Sequence, residues 1–126
     1  MNQKRRIAYE YGINSENIAE QYCLRRGDTI LAKNFRVRRG EIDLILLREK
    51  FLIFLEVKSR LDAEGIHPGY SIGYKKRRSL TMAAELFLLK NPGIVRAVRE
   101  MRFDLLCITG ERVSEYREGI FFSTKE

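Results

Sequence analysis

The stretch from Gly40 to Arg60, GEIDLILLREKFLIFLEVKSR, constrains this chain more than any other. Two runs rich in Ile, Leu and Phe flank the polar Arg48-Glu49-Lys50, which is the pattern of a β-hairpin. Both faces of both runs are apolar over most of their length, so the strands belong inside a sheet covered on each side by helices. An acid in such a strand costs free energy unless a cation or hydrogen bonds meet it, and Asp43 and Glu56 stand in that position. With an even-numbered loop centred on Glu49-Lys50, Asp43 faces Glu56, Glu41 faces Lys58, and all four project from one side. Directly opposed Cβ atoms lie about 4.5–5.5 Å apart, near enough for two carboxylates to share one hard divalent cation. A three-residue loop would instead send Glu56 to the other face. Glu41, Glu56 and Lys58 also read as strand-end residues reaching solvent, with Glu41 and Lys58 as a cross-strand ion pair.

Around the hairpin the pattern is helical, then extended, then helical again. Asn14-Ser15 offers an N-cap, Glu16 sits in the first turn, and Ile18, Ala19, Tyr22 and Cys23 recur at helical spacing until Gly27, predicting a helix over 15–26. Residues 1–12 read as a flexible basic arm. Thr29 to Ala32 is a short strand, followed by a basic loop over 33–39. Leu61 to Gly73 holds three Gly, Pro68 and His67, and reads as a long loop. Leu80, Ala83, Ala84, Phe87 and Leu88 form the apolar stripe of a second helix over 74–90, ended by Asn91-Pro92-Gly93. Met101 to Thr109 is a further strand and Ile120 to Phe122 a short last one. The 126 residues, 44% of them apolar, suffice for one α/β domain with a single modest core.

Several classes are excluded. The longest apolar run, Phe51 to Leu55, is far short of the roughly 20 residues a bilayer crossing needs. Basic residues open the chain without a hydrophobic stretch behind them, so no secretory signal is expected. Cys23 and Cys107 lie far apart in apolar patterns with no CxxC and a single histidine, His67, which suggests reduced core cysteines, a cytoplasmic protein and no Cys/His metal site. Against 17 acidic residues stand 24 Lys and Arg, a net charge of +7, which favours a polyanionic partner. The charge is clustered: Lys33, Arg36, Arg38 and Arg39; Lys75, Lys76, Arg77 and Arg78; Arg96, Arg99 and Arg102. Any one cluster reads equally well as solvated surface. Three in a small domain favour nucleic acid, since each phosphate contact releases a counterion.

An acid on one strand and E-x-K on the next, here Asp43 and Glu56-Val57-Lys58, resembles the PD-(D/E)XK nuclease superfamily. The longer phrases are more specific: Gly40 to Ile45, Phe54 to Arg60, Arg102-Phe103-Asp104, Ser15 to Ala19, and Lys76 to Leu86. Together they resemble the bacterial YraN family, also called UPF0102, over residues 12–108. That group is regarded as candidate endonucleases similar to archaeal Holliday-junction resolvases. The resemblance implies a restriction-endonuclease-like mixed β-sheet flanked by helices, with an α-β-β-β-α-β core, and metal-dependent cleavage of DNA, branched DNA among its candidate substrates. It assigns Asp43 and Glu56, with the backbone carbonyl of Val57, to Mg²⁺, for which Mn²⁺ would substitute. Lys58 matches the lysine that positions or activates the attacking water and stabilises phosphate charge. Glu16 matches an acid completing the metal shell, although it also reads as a favourable charge at a helix N-terminus. The segments 33–39 and 75–78 would hold the DNA backbone, and a homodimer would suit two symmetric strands. Glu41 ranks below these; for Asp104 a salt bridge with a nearby arginine competes with a site role, and His67 reads as a loop residue, with help at the active site as the alternative. Two other readings stand beside this one: a non-catalytic nucleic-acid-binding module on a nuclease-like fold, and an adaptor for an acidic protein.

Overall fold

The computed structural model describes residues 2–60 and 72–121. In chain order they form α1 (Gln3–Arg25), β1 (Thr29–Val37), β2 (Gly40–Arg48), β3 (Phe51–Arg60), α2 (Tyr74–Lys90), α3 (Pro92–Ala97), β4 (Glu100–Thr109) and β5 (Arg112–Arg117). The strands make one mixed sheet in the order β1-β2-β3-β4-β5, with β3 and β4 parallel and the other neighbours antiparallel. This is the α-β-β-β-α-β order expected of a restriction-endonuclease-like core, with α3 inserted before β4 and β5 added at the edge. The apolar hairpin strands sit inside the sheet because both their faces are covered. On one face Ala19 and Cys23 of α1 pack with Leu44, Leu46, Ile53, Leu55, Leu106 and Ile108. On the other, Leu80, Ala83, Ala84 and Phe87 of α2 pack with Ile42, Ile45, Leu52 and Phe54. The turn at Glu49-Lys50 has two residues, with Glu49 at φ 55, so Arg48 pairs with Phe51 and Leu44 with Leu55.

Four features depart from the sequence reading. The first helix begins at Gln3, so the basic arm expected over 1–12 is helical from that point and Asn14-Ser15 is not a cap. No proline interrupts that stretch, and one internal glycine, Gly12, costs only about 1 kcal/mol. The helix does stop where expected: Gly27, at φ 87, donates to Leu24 O while Asp28 donates to Cys23 O, a Schellman ending. Second, the basic loop expected over 33–39 is strand as far as Val37, because Lys33 to Val37 pair with Gly40 to Leu44 and leave Arg38-Arg39 as the turn. Third, α3 opens on Pro92 at its first position, where a missing N–H is harmless. Fourth, the last strand among the described residues is β5, and Ile120 and Phe121 are not strand: the Ile120 amide donates to Phe103 O at 2.9 Å, Phe121 stacks on Phe103 at 4.4 Å, and Phe122 lies outside the described residues. His67 and the rest of 61–71 lie outside them too.

Gly40 lets α2 approach the start of β2. A Cβ there would stand 2.1 Å from Ser79 O, so the glycine of the Gly40-Glu41-Ile42-Asp43 phrase serves packing. The α1 side of the sheet also holds a buried polar chain. Arg48 Nε donates to Asp28 Oδ1 at 2.6 Å and its Nη2 to Tyr116 Oη at 3.3 Å, while Tyr116 donates to Asp104 Oδ2 at 2.5 Å. Asp104, fully buried, also accepts from Arg102 Nε at 2.8 Å and from the Gly119 amide at 2.9 Å. The aspartate is thus satisfied on every side, as a buried charge must be.

Candidate active site

The hairpin register aligns Asp43 with Glu56, but the ladder recorded between β2 and β3 ends one step earlier, at Leu44↔Leu55. Beyond it the Val57 amide donates to Asp43 Oδ2 at 2.7 Å, so a side chain fills the gap between the strands. The strict alternation expected of β2 breaks at the same point. Ile42 packs toward α2 and Leu44 toward α1, although residues two apart in a regular strand share a face. Across from Asp43 lies Asn34, at a left-handed φ of 49, between the pairs Lys33↔Leu44 and Phe35↔Ile42. Both strands turn over there, and the expectation that Glu41, Asp43, Glu56 and Lys58 share one side fails. Asp43 lies between the faces instead: it borders the crevice on the α1 side and interacts with Glu56, which faces α2.

On the α2 side, Glu56, Val57, Lys58, Ile72, Lys76 and Leu105 line a cleft of about 200 Å³. The Glu56 side chain is only 13% exposed; Lys76 Nζ of α2 stands 2.8 Å from its Oε2. Burial, then the hydrogen bond that protonated Glu56 donates to Asp43 and repulsion by Asp43, push the Glu56 carboxyl up to about 8, against an opposing pull from Lys76. Lys76 answers in kind: burial works against its charge, yet Glu56 and Asp43 raise it above the ordinary lysine range. The two acids therefore crowd one another, which favours a proton on the pair.

On the α1 side, Glu16, Glu20, Lys33, Asn34, Asp43 and Val57 border a crevice of about 20 Å³, room for one water. Glu16 thus reaches the Asp43 side of the site, but it does not join the acid pair: among the described residues no three His, Cys, Asp or Glu side chains converge. Glu41 accepts from Arg36 Nε at 3.1 Å. Two carboxylates with one neighbouring carbonyl suit Mg²⁺, which keeps several of its waters, better than an ion demanding a full protein cage. The donor set Asp43, Glu56 and Val57 O therefore fits.

The basic segments divide. Arg38 and Arg39 are exposed in the β1–β2 turn and Lys75 in the first turn of α2, at the same end of the sheet as the acids. Lys33 pairs with Glu20 at 3.3 Å and Arg36 with Glu41, while Arg77 and Arg78 are half-buried. Lys76, expected on DNA with its neighbours, faces Glu56. Sequence reasoning missed that contact and the Asp28–Arg48–Tyr116–Asp104 chain. One signal was available for the first: a lysine in a helix's opening turn opposes the dipole and needs a local anion. Arg102 leaves its expected surface cluster for Asp104, as the salt-bridge reading of Asp104 required.

The profile of a family described as uncharacterised protein family UPF0102 matches residues 15–108, which contain every phrase quoted above. A UPF0102 protein of Rhodopseudomonas palustris (strain BisB5) is 30% identical over 118 residues, 94% of this chain and 87% of its own. One from Chlorobium phaeobacteroides is 34% identical over 110 residues, 87% and 84% of the two chains. One from Clostridioides difficile (strain 630) reaches 40% over 82 residues, 65% and 72%.

Proposed function

This chain belongs to the uncharacterised protein family UPF0102, and from that premise we propose that it is a Mg²⁺-dependent endonuclease hydrolysing DNA phosphodiester bonds, with branched DNA as a candidate substrate. The observation that carries the reading is the Asp43–Glu56 pair: two acids held together at a break in the sheet, one of them raised toward 8, beside a rim of exposed cations. Such crowding is costly in a structural role and useful in a metal site. Asp43 and Glu56 would hold the ion, with the Val57 carbonyl as third protein ligand. A bound Mg²⁺ supplies charge to the phosphate and lowers the pKa of a water, and Mn²⁺ can replace it.

The remaining roles belong to the chain's own groups. Lys58, on the cleft wall beside Glu56, offers positive charge to the phosphate oxygens and orients the attacking water. Glu16 borders the same break from the α1 side, within reach of a water on Asp43. Arg38, Arg39 and Lys75, with Lys33, Arg36, Arg77 and Arg78 behind them, hold the DNA backbone without reading bases, which makes binding salt-sensitive and largely indifferent to sequence. Two copies of the chain would serve a substrate with two symmetric strands. Cys23 and Cys107 are free and buried, in keeping with a reducing cytoplasm. No helix among the described residues is long and apolar enough to cross a membrane.

The test is cleavage of labelled branched, linear and single-stranded DNA with Mg²⁺ or Mn²⁺ by the parent protein and Glu56→Ala. Cleavage by the parent, absent in the variant, supports the nuclease and identifies its substrate. A parent that binds DNA yet cuts none of the three is a non-catalytic binding module.

A further inference from the structure

Lys76 stands in the first turn of α2 among four consecutive cations, Lys75 to Arg78, at the helix end least hospitable to them. Its ammonium lies 2.8 Å from Glu56 Oε2, beside the acid pair, where positive charge is most needed. The two partners differ in mobility. Glu56 is rooted in a central strand and nearly buried, whereas the Lys76 side chain is 49% exposed on a long flexible stem and can swing toward solvent. A divalent ion seated on that carboxylate repels an ammonium at the same oxygen and outcompetes its single charge. Once displaced, the ammonium stays beside Lys75 on the rim, where a DNA backbone would run.

Resting on the nuclease reading above, we infer that Lys76 is an exchangeable counter-cation. It counters the charge of the Asp43–Glu56 pair in the metal-free protein, yields Oε2 when a divalent ion is held there, and then becomes a phosphate contact of the bound DNA. Metal and DNA binding are thereby coupled through one side chain: Lys76 counts toward DNA affinity only when the ion is present.

The test uses the full chain, a short DNA duplex, and Ca²⁺ as the ion, so that cleavage does not intervene. Binding is measured by fluorescence anisotropy across a KCl series, with Ca²⁺ and with EDTA, for the wild type, Lys76→Met and Lys76→Arg; calorimetry reports Ca²⁺ binding to the wild type separately. With EDTA the three proteins should share one salt slope. With Ca²⁺ the slope of Lys76→Met should be shallower than wild type by about 0.9, the signature of one lost phosphate contact, and Lys76→Arg should restore it. A Lys76→Met slope shallower by the same amount in both conditions makes Lys76 a permanent backbone contact and overturns the exchange. Equal slopes for all proteins with Ca²⁺ bound also overturn it, leaving the nuclease reading intact. If calorimetry finds no Ca²⁺ binding, the metal site itself fails and the inference falls with it.

Discussion

Replacing Glu56 by Gln should stabilise the metal-free protein at alkaline pH and abolish part of its pH dependence. In the unfolded chain Glu56 releases its proton near the ordinary 4.5; in the folded chain burial and Asp43 hold it up to about 8. Below 4.5 both states keep the proton, and the group does not affect the balance. Between 4.5 and 8 the folded state holds a proton the unfolded state has lost, so stability falls as pH rises; above 8 the loss is complete and constant. The whole interval caps that loss at about 5 kcal/mol. About half is expected, because the adjoining cleft admits water and Lys76 follows the developing charge. Glutamine keeps the shape and a hydrogen bond toward Asp43 while removing the titration. It leaves Lys76 without its acid, at a cost of at most about 1 kcal/mol for a half-exposed pair. Glu56→Gln should therefore match wild type near pH 4.5 and exceed it by about 2 kcal/mol at pH 9, a rise in Tm of several degrees for a domain of this size. The assay is urea unfolding from pH 4.5 to 9 in EDTA, comparing the two proteins at each pH. Millimolar Mg²⁺ should close the gap at pH 8 by stabilising the wild type alone. Parallel pH profiles, or a variant less stable at pH 9, would refute the crowding of the acid pair.

Three further outcomes test the surroundings. Asp104→Asn removes the charge that Arg102, Tyr116 and Gly119 converge on, and should cost about 3 kcal/mol in urea unfolding. Gly40→Ala drives a methyl against Ser79 O and must displace β2 from α2, costing about 2–3 kcal/mol and lowering Tm. The double variant Arg38→Glu, Arg39→Glu, in an exposed turn, should leave stability unchanged while weakening DNA binding and flattening its salt slope by about two units; an unaltered slope would take the turn out of the DNA surface.

Local pattern sets much of this molecule. Two apolar runs around a polar turn specify the hairpin, and Asp43 and Glu56 are legible as facing acids on condition of an even-numbered turn, which the two residues Glu49-Lys50 supply. Gly27 as a helix stop and the helix over 74–90 are equally legible, because caps and 3.6-residue spacing are written in neighbouring residues. Basic side chains misled: Lys33 and Arg36 alternate with Phe35 and Val37 in a real strand, and only pairing with β2 shows it. What no local pattern holds is the turnover at Asn34 and Asp43, which needs a left-handed residue on one strand opposite a side chain bonded to a third. Nor does it hold the Lys76–Glu56 contact or the Asp28–Arg48–Tyr116–Asp104 chain, whose members meet only once separate strands and α2 are assembled on one sheet. Periodicity and turn chemistry, being short-range, decided the apolar hairpin and the helix over 74–90. Packing α1 and α2 on opposite faces of one sheet decided which cation meets Glu56, and left Asp43 bordering the α1-side crevice.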